Sequence, residues 1–279
     1  MNRWGFPALG AGIGLDRSQL GCALADGPRV ALFEVISEEY IGDGELQSQL
    51  ERLSELAPIL LHGTCLSLGH EGEVDFAYLE GLEALADRVH AAGISDHLRW
   101  TGARERHAPG GEPFAYTEES LRRLAERIRR VQDFLERPIA LENPYTRRPS
   151  VRTRIPEHEF LARLAEATDS PLLLDLESLC RSALQQDFDP YEYLETIPAD
   201  RVVEVHLGLP PEARPRGARA LERIAREGAW ELFGHLTATL GALSTIVECH
   251  KPLPEYGLLR DGALRARAVL EDNQAVRAG

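Results

Sequence analysis

Leu60-Leu61-His62-Gly63-Thr64-Cys65-Leu66-Ser67-Leu68-Gly69 decides the fold. The apolar run from Pro58 to Leu61 ends in a histidine, and small and polar residues follow. Such a run reads as a parallel strand buried on both faces, whose carboxyl end delivers a ligand-type side chain into an open site. The pattern recurs in Ile94-Ser95-Asp96-His97, Ile139-Ala140-Leu141-Glu142-Asn143-Pro144 and Leu172-Leu173-Leu174-Asp175-Leu176-Glu177. It recurs again in Val202-Val203-Glu204-Val205-His206 and Thr245-Ile246-Val247-Glu248-Cys249-His250. Six short apolar runs that each deliver His, Asp or Glu exceed what packing alone requires. They point to a metal site at the top of a barrel.

Outward from these runs, residues 8–15 carry glycines at 10, 12 and 14 and read as a first strand with close backbone approaches. The Gly10-x-Gly12-x-Gly14 spacing misses the dinucleotide fingerprint and no helix start follows it, which disfavours a Rossmann fold. A second strand is expected at 29–36. Helical spacing predicts helices over about 45–56, 75–92 (stopped by Gly93), 117–135 and 157–168, and again over about 217–240 and 260–275. A weaker helical stretch runs to about 197. Strands alternating with helices and no dividing linker give an α/β fold, one (β/α)8 TIM barrel over 1–279. At 279 residues and 43% hydrophobic, the chain can bury the core this needs.

Composition removes several classes of function. No apolar stretch approaches the length of a membrane span, and the first ten residues lack a signal-peptide core, so a cytoplasmic location is expected. The formal charge of −14 argues against sequence-independent binding of nucleic acid or an anionic membrane. Lys251 is the only lysine, so a Schiff base elsewhere in the chain is ruled out. Cys22, Cys65, Cys180 and Cys249 are scattered, without the spacing of a disulfide framework or zinc ribbon, and read first as small apolar residues. Cys65, Cys180 and Cys249 fall just beyond strand ends. Neither a nucleophile elbow nor a Walker loop is present.

The candidate ligands are His62, His97, Glu142, Asp175, Glu177, His206 and Glu248. Clustering that many carboxylates is costly without a cation. Mixed imidazole and carboxylate donors suit iron, manganese or zinc, and spacing alone does not choose among them. Glu34 and Glu38 close the second strand, as ligands, partners of ligands or solvated carboxylates. His250 follows Glu248 and can reach the barrel mouth. His70, His90, His107, His158 and His235 read as surface residues.

Together these segments resemble one family. Phe33-Glu34-Val35-Ile36-Ser37-Glu38-Glu39-Tyr40, His62-Gly63-x-x-Leu66-Ser67-Leu68-Gly69, Asp96-His97-Leu98-x-Trp100 and Pro113-x-x-Tyr116-Thr117-Glu118-Glu119 come first. Leu141-Glu142-Asn143-Pro144, Leu173-Leu174-Asp175 and Glu204-Val205-His206-Leu207 follow in the same order. The order is similar to that of the multinuclear non-heme iron-dependent oxidases, whose members include the enzyme of methanobactin biosynthesis. The resemblance covers about residues 10–250. It implies a barrel holding two or three mixed-valent irons at the strand ends. Such enzymes use molecular oxygen to remodel cysteine, or a nearby residue, in a ribosomally made precursor peptide, usually with a partner protein that recognises the leader. By this resemblance His62, His97, Glu142, the Asp175/Glu177 segment, His206 and Glu248 are the iron ligands. By the same resemblance Glu34 and Glu38 line the site, and His250, by its position after Glu248, joins them as a candidate catalytic group.

Two departures qualify the expectation. Leu176-Glu177-Ser178 stands where the family usually has an asparagine pair. Leu207-Gly208-Leu209-Pro210-Pro211 stands where it has a second histidine and then an Asp-x-His group. The ligands of one iron are therefore missing, and one or two irons are expected, with three left open. Two other readings remain open. One is a metal-dependent isomerase or hydrolase on a xylose-isomerase-like or endonuclease-IV-like barrel. The other is a degenerate barrel that only binds a partner. The basic stretches 147–154 and 214–226 read first as solvated faces and second as contacts for an acidic leader.

Overall fold

The computed structural model describes residues 2–27, 29–66, 68, 72–98, 115–146, 148–213, 220–249 and 252–278. Expectations placed on His250, His70, His107, Lys251 and the 99–114 loop lie outside the described residues. Eight parallel strands pair in chain order and the last returns to the first, closing a barrel. They are β1 (Ala11–Gly14), β2 (Phe33–Ile36), β3 (Ile59–Gly63), β4 (Gly93–His97), β5 (Ala140–Glu142), β6 (Leu172–Asp175), β7 (Val202–Gly208) and β8 (Ser244–Glu248). The helices are α1 (Leu20–Asp26), α2 (Gly44–Ser54), α3 (Phe76–Arg88), α4 (Glu118–Leu135), α5 (Glu157–Thr168), α6 (Leu176–Gln186), α7 (Pro190–Thr196), α8 (Ala220–Leu240) and α9 (Tyr256–Ala278). None of the described helices is long and apolar enough to cross a membrane.

The strands are apolar on both faces because both are buried. Ile59 and Leu61 belong to the large cluster between sheet and helices, whereas Leu60 joins Leu32 and Ile246 in a separate cluster inside the barrel. Helix α4 shows the complementary pattern, with Leu121, Leu124, Ile128, Val131 and Leu135 buried along one stripe. Thr117 caps it, accepting from the Ser120 amide while Ser120 Oγ accepts from the Thr117 amide.

The interior is apolar at its amino end and polar at its carboxyl end. The amino end is stoppered by Phe6, which packs on Ala140, Leu173 and Val203. Trp4 anchors this segment, its indole donating to the Asp169 carbonyl at 2.6 Å and its ring lying under the guanidinium groups of Arg3 and Arg201. A ligand site at the other end therefore has a closed floor.

Several boundaries differ from expectation, β1 and β2 being shorter than the stretches 8–15 and 29–36. Helix α3 stops at Arg88, because His90 adopts φ 49° and reverses the chain. Gly93 instead opens β4, where Phe6 leaves no room for a side chain. The weak stretch after β6 is two helices, α6 and α7, with Asp187 in left-handed conformation closing the first and Pro190 opening the second. The last helix begins at Tyr256.

Gly12 lies beside Leu32 of the neighbouring chain segment that leads into β2. A Cβ there would collide with the Leu32 carbonyl oxygen and lie 2.6 Å from its Cγ. Gly21, exposed on α1, has nothing within 4 Å of the same position. Denaturant unfolding is expected to show Gly12→Ala destabilised by about 1–3 kcal/mol and Gly21→Ala stabilised by roughly 0.5 kcal/mol.

Candidate metal centre

Strand register brings the candidate side chains to one place. His62 sits opposite Ser95, His97 opposite Glu142, Asp175 opposite His206, and Gly208 opposite Glu248. Because strand side chains alternate, Ser95 and His97 share one face of β4 and Asp96 takes the other. Asp96 accepts from the Leu66 amide at 3.3 Å, within the loop after β3.

The three histidines meet at the carboxyl mouth. His62 Nε2 lies 3.3 Å from His97 Nε2 and 3.5 Å from Glu142 Oε2, and the His97 ring contacts the same carboxylate. His206 Nε2 lies 3.1 Å from the Glu34 carboxylate, and its Nδ1 is 3.6 Å from Glu142 Oε1 and 3.5 Å from Glu248 Oε1. The His62 and His206 rings are edge-on, their centroids 5.3 Å apart. Two overlapping groups, Glu34–His62–His206 and His62–His97–Glu142, each have ligand atoms within 4.8 Å of one another. Ser95 Oγ sits 2.8 Å from His62 Nδ1 and leaves Nε2 for the cluster.

Burial and mutual charge dominate the electrostatics. Burial pushes the His62 imidazole down to about 4, although Glu34 and Glu142 pull the other way. Burial also works against a charged His206, yet the Glu34 and Glu248 carboxylates and its contact with Glu142 hold it well above the usual imidazole range. Glu142 is the reverse case: burial opposes its ionisation, and His97, His206 and His62 together keep it well below the usual carboxylate range. Asp175 is pushed up to about 6 by burial and by the Glu142 and Glu248 charges.

The residues present fit a metal ion. Among the described residues, Glu142 Oε2 and His206 Nδ1 are buried without a hydrogen-bond partner. These are the nitrogen of one imidazole and the oxygen of one carboxylate, crowded by the His62 and His97 rings and by Glu248, and with His206 deprotonated both are atoms that a cation satisfies.

The expected residues are not all brought together. His62, His97, Glu142 and His206 converge with Glu34, and Glu248 borders them at His206. Asp175 stands at the edge, where it caps α6 by accepting from the Ser178 amide at 2.9 Å. Asn143 fixes its backbone, accepting from the Asp175 amide at 2.8 Å and donating to its carbonyl at 3.1 Å. Glu177 is drawn away: Arg181 reaches it at 2.6 Å and Arg226 at 3.4 Å. That carboxylate fits because Gly208 has no side chain, a Cβ there overlapping Glu177 Oε2. Glu38 also lies outside the cluster, accepting at 2.8 Å from both the Thr64 amide and the Tyr78 hydroxyl. The four cysteines form no disulfide. Cys180 is buried in α6 against α8, and burial pushes the Cys65 thiol up to about 11.

Two interior residues, Ser95 and Glu204, were not among the expected site. Glu204 is 1% exposed, its Oε1 4.0 Å from His206 Nε2, and neither oxygen has a hydrogen-bond partner among the described residues. Burial, then the neighbouring Glu34 carboxylate, pushes its carboxyl well above the usual range. Each precedes a strand-end histidine by two residues, so strand periodicity already placed both on the ligand face.

Removing the Ser95 hydroxyl frees the His62 ring to rotate. Ser95→Ala is expected to weaken metal retention by about 10–100-fold, measured by chelator competition on protein with an unchanged circular dichroism spectrum.

The chain matches known proteins over almost its whole length. A model of the family described as "RiPP precursor modification enzyme MbnB/TglH/ChrH" matches residues 10–271. A UPF0276 protein of Anaeromyxobacter sp. (strain Fw109-5) is 36% identical over 265 residues, covering 94% of this chain and 93% of the relative. A UPF0276 protein of Caulobacter vibrioides is 34% identical over 250 residues, covering 89% of each. Among solved structures, an L-ribulose 3-epimerase superposes with a TM-score of 0.59 at 17% identity, covering 98% of this chain and 95% of that one. Endonuclease IV from Thermus thermophilus gives 0.56 at 18% identity, covering 92% and 94%. At such identity these two likenesses concern the barrel alone. The family match and the relatives go further: this chain belongs to the MbnB/TglH/ChrH family of RiPP precursor modification enzymes.

Proposed function

We propose that this chain is an iron-dependent oxidase that uses molecular oxygen to modify a cysteine, or a residue beside one, in a ribosomally synthesised precursor peptide. The observation that carries the reading is the buried convergence of His62, His97 and His206 with Glu34 and Glu142. An imidazole and carboxylate donor set without thiolate suits redox-active non-heme iron and leaves the soft ligand to come from a substrate cysteine. Family membership supports the peptide as substrate.

His62, His97, Glu142 and His206 would hold one or two irons, with Asp175 and Glu248 at the mouth and Glu34 behind His206. Bound there, iron supplies the one-electron chemistry with dioxygen that these side chains lack. The chain's own residues do the rest. Ser95 orients His62 with Nε2 toward the centre. Asn143 and Ser178 hold Asp175 at the rim. Glu248, whose side chain is 16% exposed, reaches solvent as Asp175 does, and with its contact to His206 it passes protons between the mouth and the buried groups. The Phe6 stopper closes the floor, so substrate and oxygen enter from the carboxyl face alone. A leader-binding partner protein and a cytoplasmic setting complete the proposal.

Two experiments test it. Anaerobically purified protein is expected to contain about one or two irons per chain by elemental analysis, and to consume oxygen only when a cysteine-containing precursor peptide is supplied. Turnover with zinc or manganese in the absence of oxygen would overturn the oxidase in favour of an isomerase or hydrolase. In the second, Glu142→Gln is expected to lose metal and activity. Glu177→Gln is expected to keep its metal, because Glu177 answers to Arg181 and Arg226. A folded Glu142→Gln or His62→Ala protein with unimpaired function would favour a non-catalytic binding role.

A further inference from the structure

We propose that the rim loop 148–154, between β5 and α5, is a docking surface for an acidic segment of the peptide substrate; the proposal rests on the peptide-modifying reading above. The loop follows the carboxyl end of β5, the strand that ends in Glu142 of the centre, and so begins on the carboxyl face of the barrel. It carries Arg148, Arg152 and Arg154, all exposed, and Val151 at its tip is 93% exposed.

Three exposed arginines gather within seven residues on this loop. The chain has 45 acidic residues against 31 basic ones, and most of the described arginines outside the loop have found a carboxylate. Arg3 and Arg201 pair with Asp169, Arg88 with Glu51, Arg137 with Asp87 and Arg163 with Glu118. Among the described residues, no carboxylate lies within ion-pair range of Arg148, Arg152 or Arg154. In a chain of charge −14, an anionic segment is repelled from the molecule as a whole, and a local positive rim is what admits it in one orientation. The same net charge disfavours nucleic acid as the polyanion.

The loop is built to hold its shape. The Arg154 and Ile155 amides donate to the Tyr116 carbonyl at 2.8 and 3.1 Å, and the Thr153 amide donates to the Ser150 carbonyl at 2.9 Å. Tyr116 is itself fixed, its hydroxyl donating to Glu157 at 2.8 Å. Arg154 braces the tip by donating to the carbonyls of Val151 and Thr153 while keeping its charge. Arg148 and Arg152 remain for the ligand. With Val151 between two cations, the surface fits an acidic segment that also carries an apolar residue.

The test is fluorescence anisotropy on metal-loaded protein with a short fluorescein-labelled peptide of Glu and Leu. Wild type is expected to bind it, less tightly as salt is raised. Arg148→Glu/Arg152→Glu is expected to bind at least about tenfold more weakly, with unchanged metal content and circular dichroism. Absence of binding by wild type, equal binding by the double variant, or equal binding of a Lys and Leu peptide would each overturn the proposal. So would equally effective competition by an oligothymidylate of the same charge. Binding is read without turnover, so failure of the oxidase reading leaves this result standing. Conversely, a precursor peptide turned over with the same KM by both proteins would overturn the docking surface and leave the oxidase reading untouched.

Discussion

Like-charge crowding inside a closed barrel is the constraint on which the rest of the structure depends. Glu34, Glu142 and Glu204 are each no more than 2% exposed, and they surround His62 and His206, which are equally buried. Buried carboxylates left without compensation cost several kcal/mol each. The fold meets this by interleaving imidazoles and acids, so that His206 is driven toward its charged form while Glu204 is driven toward its neutral one. An arrangement so unfavourable to folding alone marks these residues as a candidate ligand site.

The barrel makes this arrangement possible by dividing its interior. Leu32, Leu60 and Ile246 fill the middle, and Phe6 plugs the amino end against Ala140, Leu173 and Val203. Glycines on β1 leave the volume that Leu32 and Glu248 occupy. Carboxylates not needed at the centre are disposed of around the rim. Glu177 is held by two arginines, Glu38 by a tyrosine and a backbone amide, and Glu157 by Thr146 at 2.7 Å and Tyr116 at 2.8 Å.

The departures from the expected family pattern have a structural counterpart. Where the family usually carries a second set of ligands after the histidine of β7, this chain has Leu207 and Gly208, and the Glu177 carboxylate fills the volume beside Gly208. Arg226 from α8 then approaches that carboxylate at 3.4 Å. This corner of the mouth is thus occupied by an ion-pair network, while the centre around His62 keeps its full complement of imidazoles.

The sequence by itself determined the barrel and most of the residues that converge at its centre. Six of the eight strands are short apolar runs that deliver His, Asp or Glu at or just past their ends, and that pattern is local. It also determined α4 and α5 nearly to the residue, because their apolar stripes and the Thr117 cap are read within one or two turns. What only the tertiary structure decided is which strand-end carboxylates converge. Glu177 and Glu142 are indistinguishable as the ends of apolar runs. Glu177 lies past the cap residue Asp175 on the first turn of α6, and the helix swings it toward Arg181, whereas Glu142 ends its strand facing inward. Strand parity could have found Ser95 and Glu204, yet their depth depends on stagger between neighbouring strands, which no single strand encodes. The Phe6 stopper was equally hidden, since a short amino-terminal segment has no periodicity and gains its place only once the barrel it closes exists.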